Sequence, residues 1–328
     1  MDSFWNQEIK KINKMRILVT GAAGFIASHL CEKLVSLGHE VVGLDNFNDY
    51  YSPVLKEMNA RDLESKGVRI FRLDLNDDLS KVFENPYDYI YHLAAQPGIS
   101  SDTTLEEYVR NNIYATQSLL EAVIQYNQDI KCFVNIATSS VYGIEATVNE
   151  TVPAQPVSFY GSTKLAAEQL VLGLQRLGKL NACSVRLYSV YGPRERPEKL
   201  YTKLIENLYN NKPFPLFEGS VKHERSFTYV GDIVEGLTAI IGRENEVDGE
   251  IINLGTDEVN TTQEGINAVE LIMNKQLIID NKPPRKGDQQ RTAAVIDKAK
   301  KLLNYSPKVS LKQGLEEQVK WYKEKFID

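Results

Sequence analysis

The chain has 328 residues, 42% of them hydrophobic and 25% charged, which is enough apolar material for one large domain with a smaller appendage and carries no compositional sign of disorder. A net charge of -6 and a pI near 5.5 argue against a nucleic-acid surface, which needs a concentrated basic face. No window approaches the roughly eighteen uninterrupted apolar residues of a membrane-spanning helix. Cys31, Cys132 and Cys183 form an odd, widely spaced set inside apolar segments. They predict reduced core thiols rather than a disulfide or metal framework, and hence a cytoplasmic setting with no metal site. Residues 1–14 contain Trp5 and several charges but no apolar run like that of a signal peptide, so they are expected to be a surface extension.

Arg16-Ile17-Leu18-Val19-Thr20 is a short apolar run typical of a strand buried on both faces. Gly21-Ala22-Ala23-Gly24-Phe25-Ile26-Ala27 and a helical pattern to Leu37 follow at once. The glycines allow a tight turn in which a pyrophosphate approaches the free N–H groups of the helix start, making Gly21, Gly24, Phe25 and Ile26 candidate cofactor contacts. Val41–Asp45 is a second strand, and its terminal carboxylate lies 24 positions after Gly21. There an acid accepts the adenosine ribose hydroxyls and repels a 2′-phosphate, which favours NAD over NADP. A third strand, 68–73, closes on Asp74-Leu75 and a fourth, 87–93, on Ala94-Ala95-Gln96. Small residues at a strand end leave room for a cofactor, so Ala94 and Ala95 join the candidate contacts.

Cys132–Ala137 reads as a fifth strand, ending in Thr138-Ser139-Ser140-Val141-Tyr142-Gly143. Further on, Tyr160 and Lys164 stand four apart, and on a helix they share one face. A cation beside a phenol favours the phenolate, which makes Tyr160 a candidate proton acceptor. Thr138 is placed to donate a hydrogen bond to the same substrate oxygen. Helical periodicity over 104–126 and 158–177 completes a repeated β-α alternation, predicting an α/β fold with a doubly wound parallel (Rossmann) sheet and a site along its carboxyl edge. A sixth strand, 182–190, leads into Tyr191-Gly192-Pro193-Arg194-Glu195-Arg196-Pro197. Beyond it the alternation becomes irregular up to a helix at 311–326. The expected division is a cofactor domain over 15–190 and, over 191–328, a smaller substrate domain interleaved with late elements of the sheet. Arg196, Arg225 and Arg291 are far apart in sequence yet able to converge on one anion.

Thr20-Gly21-x-x-Gly24-x-x-Ala27, Asp74-Leu75, His92-Leu93-Ala94-Ala95, Thr138 with Val141-Tyr142-Gly143, Tyr160-x-x-x-Lys164 and Tyr191-Gly192-Pro193 together resemble the extended short-chain dehydrogenase/reductase family, in particular its nucleotide-sugar epimerases and dehydratases. The match runs from about Met15 to the C-terminus. It implies a Rossmann domain that holds NAD tightly, with Asn46, Asp74, Leu75 and Leu93 added to its cofactor contacts, a C-terminal part that binds a nucleoside-diphosphate sugar, and a homodimer built on helices 104–126 and 158–177. Within the family, Leu44 to Tyr51, Tyr191 to Pro197 and Arg225-x-Phe227-Thr228-Tyr229-Val230 look most like the UDP-glucuronate 4-epimerases. Ala27 replaces the third glycine, and Ser226 stands where that subgroup has Asp.

The resemblance implies that Tyr160 takes the proton of the sugar 4-hydroxyl, Thr138 binds that oxygen, and Lys164 holds the nicotinamide ribose and lowers the pKa of Tyr160. A 4-keto sugar then turns over in the site and is reduced on its other face, converting UDP-glucuronate to UDP-galacturonate. Arg225 and Arg291 resemble diphosphate ligands. A 4-keto uronate is a β-keto acid, so its carboxylate must be held against loss of carbon dioxide. Arg196 with Ser139, Ser140 and Ser189 is the candidate clamp. Dehydratases carry an Asp-Glu pair after the Thr, and decarboxylases a Glu just before the Val-Tyr; Ser139 and Ser140 ionise too poorly for either role. The competing readings are a 4-epimerase of neutral UDP sugars and, in another class, a non-catalytic NAD(H) sensor, which would not need Thr138, Tyr160 and Lys164.

Overall fold

Along Arg16–Thr20, Ile17 and Val19 enter one hydrophobic core and Leu18 another, as the two-residue period of a strand covered on both sides requires. The computed structural model describes residues 14–100, 102–284 and 290–327; of the expected N-terminal extension, 1–13 lie outside the described residues. The first half runs β1 (Arg16–Thr20), α1 (Phe25–Ser36), β2 (Glu40–Asp45), α2 (Pro53–Ser65), β3 (Arg69–Arg72) and β4 (Tyr89–His92). Next come α3 (Leu105–Tyr108), a π-helical stretch at Val109–Tyr114, α4 (Ala115–Tyr126), β5 (Cys132–Thr138), β6 (Glu145–Ala146), α5 (Phe159–Arg176) and β7 (Ala182–Leu187). The second half has β8 (Val190–Tyr191), α6 (Leu200–Asn210), β9 (Phe214–Phe217), β10 (Glu224–Arg225), β11 (Thr228–Tyr229), α7 (Val230–Thr238), α8 (Glu244–Val247) and β12 (Ile251–Leu254). It closes with β13 (Asn260–Thr261), α9 (Thr262–Met273), β14 (Ile279–Lys282), β15 (Arg291–Thr292), α10 (Asp297–Leu303) and α11 (Leu311–Phe326).

Seven strands form one parallel sheet in the order β12-β7-β5-β4-β1-β2-β3. The chain winds outward from β1 to β3, then returns to β4 and winds the other way. The carboxyl ends of β1 and β4 therefore flank a crevice, the place where open α/β sheets bind ligands. The doubly wound expectation holds, and the seventh strand, β12, comes from the second half of the chain. The expected sixth strand, 182–190, breaks. After Leu187 the chain leaves the large sheet, Ser189 accepts the Thr228 N–H at 2.8 Å, and β8 pairs with β11 instead. That step turns Ser189 toward the ligand crevice. A third core, including Tyr201, Leu204, Phe214, Ile266, Leu315 and Val319, supports the smaller lobe. No helix among the described residues is long and apolar enough to cross a membrane.

A buried ion pair anchors the floor of the site. Glu168 on α5 is fully buried and accepts Arg186 Nε at 3.0 Å and Ser184 Oγ at 3.0 Å. Arg186 in turn lies 4.8 Å from the centre of the Tyr142 ring. Removing one partner of such a pair strands a buried charge. Glu168→Ala is therefore expected to cost about 3–5 kcal/mol of stability, measurable as a lower denaturation midpoint; an unchanged midpoint would mean that the pair is not a structural anchor.

Candidate active site

The turn after β1 is built for close approach. Gly21 has φ +69°, and a Cβ there would lie 2.9 Å from the backbone nitrogen of Ala94. Only glycine meets both demands. Thr20 Oγ1 accepts the Ala94 N–H at 3.1 Å and bonds His92 Nδ1 at 2.8 Å, while His92 Nε2 meets Thr116 Oγ1 at 2.9 Å. Burial lowers the His92 pKa to about 3, so the imidazole is a neutral strut between β1, β4 and α4. Gly24 caps α1 with no side-chain hydrogen bond, which leaves the helix's first N–H groups and positive dipole end facing the crevice.

At the end of β2, Asp45 accepts the N–H groups of Phe47 at 2.8 Å and Ala23 at 3.1 Å. Burial raises the Asp45 pKa, and nearby Lys56 opposes that rise. Lys56 Nζ also donates to the Asn48 carbonyl at 2.7 Å, fixing the turn beside the carboxylate.

Thr138 ends β5, and its Oγ1 accepts the Ser140 N–H at 3.2 Å, starting a short 3-10 turn over Ser139–Tyr142. Gly143, at φ +94°, then packs against the Gln155 carbonyl, where no Cβ would fit. Tyr142 Oη donates to Asn253 Oδ1 at 2.8 Å, tying this turn to β12. Helix α5 is capped by Ser158, whose Oγ accepts the Gly161 N–H at 3.1 Å. That cap puts Tyr160 in the first turn and Lys164 one turn later, both on the wall of a cavity of about 450 Å³.

Burial raises the Tyr160 pKa, opposed by the Thr138 hydroxyl through a hydrogen bond, by the Arg196 guanidinium and by a backbone hydrogen bond at Gly98. Burial lowers the Lys164 pKa to about 8, with the Glu168 carboxylate keeping it from falling further. Lys164 lines the same cavity as Tyr160.

The same cavity is lined by Gly21, Gly24, Phe25 and Ile26 from the glycine turn, and by Asp45, Asn46, Asp74 and Leu75 from the ends of β2 and β3. Leu93, Ala94 and Ala95 line it after β4, and Thr138, Ser139, Ser140, Ser189, Arg196 and Arg225 complete the walls. Every sequence-predicted site residue but one is thus brought together. The exception is Arg291, which does not line the cavity. On the paired strands Glu224 lies opposite Arg291 and Arg225 opposite Thr292, so the pleat sends the two arginines to opposite faces. Arg291, its side chain 60% exposed, binds Glu224 at 2.9 Å.

Ser226 is fully buried, and its Oγ accepts the Ala294 N–H at 2.8 Å. It holds strand ends together and does not line the cavity. Lys199, Lys56 and Tyr50 do line it, and none was singled out as a site residue from sequence. Lys199 follows Arg196 by three residues in the same post-strand loop, which was the available signal. Burial lowers its pKa, and Arg196 and Arg225 add to that effect, so three cations share one wall. Arg196 packs on Gly98, and its guanidinium is 5.7 Å from the Tyr50 ring centre. Its Nη1 is buried 3.0 Å from Glu198 Oε1 without an aligned hydrogen bond, and the residue lines the cavity.

A glycine turn against a bare helix N-terminus, with an acid at the next strand end, fits a dinucleotide, and a Tyr-Thr pair beside it fits proton transfer at an alcohol carbon. By class this is an NAD-using enzyme built on the short-chain dehydrogenase/reductase plan. The chain belongs to the NAD dependent epimerase/dehydratase family, whose sequence pattern matches residues 17–255.

Among its relatives, an uncharacterized UDP-glucose epimerase of Bacillus subtilis (strain 168) is 38% identical over 311 residues, covering 93% of this chain and 97% of the relative. UDP-glucuronate 4-epimerase 3 of Arabidopsis thaliana is 33% identical over 350 residues, covering 97% and 80%. The crystal structure of UDP-glucuronic acid 4-epimerase from Bacillus cereus in complex with UDP-glucuronic acid and NAD superposes with a TM-score of 0.89 at 38% identity, covering 94% of this chain and 99% of that one.

Proposed function

We propose that the chain is an isomerase that interconverts UDP-glucuronate and UDP-galacturonate by NAD-dependent epimerisation at C4. The observation that carries this reading is Arg196, a largely buried guanidinium on the cavity wall, close enough to Tyr160 to lower its pKa. Tyr160 marks where C4 must sit, and in a hexuronate the carboxylate is borne by the neighbouring C5. Arg196 is thus at the right end of the cavity to fork onto it.

NAD, when bound, supplies the acceptor and later the donor of the C4 hydride. Tyr160 accepts the proton of the 4-hydroxyl and returns it after the 4-keto sugar has turned over. Thr138 donates to the same oxygen. Lys164 presents a buried positive charge to the nicotinamide ribose. Ser139, Ser140 and Ser189 surround the carboxylate with donors beside Arg196. Arg225, with Lys199, faces the diphosphate; Arg291, on the opposite face, is left out of this set. The cofactor falls to residues 15–190 and the sugar nucleotide mainly to 191–328.

The neutral-sugar reading, from which the Bacillus subtilis relative takes its name, would leave Arg196 with no anion to bind. Incubation with a panel of UDP sugars and NMR of the products tests the choice. Selective turnover of UDP-glucuronate supports it, and preference for UDP-glucose overturns it. NAD is expected to copurify and NADP to bind weakly, because Asp45 meets the 2′-position with a carboxylate. A preparation that prefers NADP in titration would remove Asp45 from that role.

The assembly we propose is a homodimer through α4 and α5, whose exposed apolar residues include Tyr126, Phe159 and Leu170. The proposed location is the cytoplasm, in keeping with three buried free thiols. Sedimentation at micromolar concentration tests the assembly; a monomer would rule it out.

A further inference from the structure

The loop between β8 and α6 ties three successive residues to α1, α2, α6 and α11 before it delivers Arg196. Pro193 O accepts from His29 Nε2 of α1 at 2.9 Å. Arg194 Nη2 reaches Glu32 of α1 at 2.9 Å and Asp62 of α2 at 3.4 Å. Glu195 is buried and accepts from Thr202 N at 3.1 Å and from Gln318 Nε2 of α11 at 3.0 Å. Arg194 stands apart in this series. Its φ is +66°, a left-handed conformation that a side chain other than glycine adopts at a cost. Its own side chain is 10% exposed and points away from the main cavity, lining instead a small crevice against α2 and α11. A long cation retained at a position whose backbone favours glycine calls for a reason outside the backbone.

We propose that Arg194 is a positioning residue for the reaction: its ion pairs with Glu32 and Asp62 lock the loop so that Arg196 meets the substrate carboxylate at a fixed angle. The inference rests on the reading of Arg196 as the carboxylate clamp. Helix α1 supplies both the bare N-terminus at the cofactor cleft and Glu32, so one rigid element references the clamp to the cofactor. Orientation is what matters chemically. In the 4-keto uronate the C5–carboxylate bond breaks readily when it lines up with the carbonyl π system. The bonding pair then enters the C4 carbonyl as an enolate, which takes a proton at C5, and carbon dioxide leaves. The two electrons already taken from C4 stay on NAD, so each carbon dioxide lost leaves one reduced nicotinamide and one UDP-4-keto-pentose.

The test compares Arg194→Gly, Arg194→Lys, Glu32→Gln and Arg196→Ala. Arg194→Gly suits the left-handed backbone and removes the ion pairs together with the packing of the buried side chain, a packing loss that Glu32→Gln does not share. Each variant is given UDP-glucuronate, and epimer, 4-keto-pentose and reduced nicotinamide are quantified, with circular dichroism as the check on folding. The 4-keto-pentose share is expected to rise at least roughly fivefold in Arg194→Gly, modest beside the hundredfold losses that small misplacements of a reacting group produce. Arg194→Lys, which keeps a cation for Glu32, is expected to restore much of the parent ratio, and Glu32→Gln to fall between.

A merely structural role would lower total rate or melting temperature and leave the product ratio unchanged, in Arg194→Gly as in Glu32→Gln; that result overturns the inference. If Arg196→Ala leaks carbon dioxide while the Arg194 and Glu32 variants do not, the positioning role alone fails. If Arg196→Ala does not leak either, the clamp reading itself fails.

Discussion

Tyr160→Phe is expected to retain NAD and lose roughly a hundredfold or more of the epimerisation rate, the scale on which a positioned general base contributes. The substitution removes one oxygen and keeps the ring, so packing against Tyr108, at 6.2 Å between ring centres, survives. What is lost is the proton acceptor for the 4-hydroxyl. Burial raises the pKa of this phenol, so the free base is scarce without the donors and cations that oppose burial. Thr138, Arg196 and a backbone hydrogen bond at Gly98 supply that opposition, and none can take a proton in its place: a hydroxyl and a peptide group are poor bases, and a guanidinium has no free pair to offer. Single-turnover rates with UDP-glucuronate, together with cofactor content after purification, make the comparison. A variant that runs at nearly the parent rate would put the proton on another group.

The first half of the fold was legible because its signals are local. Ile17 to Val19, the glycine turn and the periodic helix that follows are dictated by burial on two faces and by a backbone that must bend sharply. The same is true of α11, whose expected bounds match the observed Leu311–Phe326. Two features were not local. β12 is four residues long, and its place at the sheet edge is set by pairing with β7 across the molecule. The break after Leu187 depends on β11, which offers β8 a partner 38 residues later in the chain. A run of apolar residues cannot announce that its last part will join another sheet.

Within the site, most motif residues came together because they sit at the carboxyl ends of parallel strands or in the first turns of α1 and α5. The placement of Arg291 outside the cavity was not legible because its strand register was invisible. One residue of shift along β15 would have turned it toward Arg225's face. Helical spacing and the family resemblance both predict that Lys164 tunes Tyr160. Spacing puts the two side chains on one face, and the folded site adds Arg196, far away in sequence, as a further cation that lowers the Tyr160 pKa.

Arg196→Ala is expected to change the product rather than merely the rate. Two effects are separable. The first is affinity: a lost charge-assisted hydrogen bond is worth about 1.5–3 kcal/mol, so UDP-glucuronate should bind about one to two orders of magnitude more weakly. UDP itself should bind nearly as before, because Arg225 and Lys199 remain on the wall. The second is fidelity. Once C4 is oxidised, the freed carboxylate samples orientations in which its bond to C5 overlaps the carbonyl, and carbon dioxide leaves before reduction can restore the sugar. A 4-keto pentose and reduced nicotinamide should then accumulate together in equal amounts. One consequence runs against intuition, since Arg196 also lowers the Tyr160 pKa: the variant should oxidise C4 more slowly as well as leak, and raising the pH should recover part of that rate without recovering the epimer. NMR of the products alongside nicotinamide absorbance reads both quantities in one experiment. If Arg196→Ala epimerises UDP-glucuronate as well as the parent and releases no carbon dioxide, the guanidinium is not the clamp, and a neutral sugar becomes the better fit to the cavity.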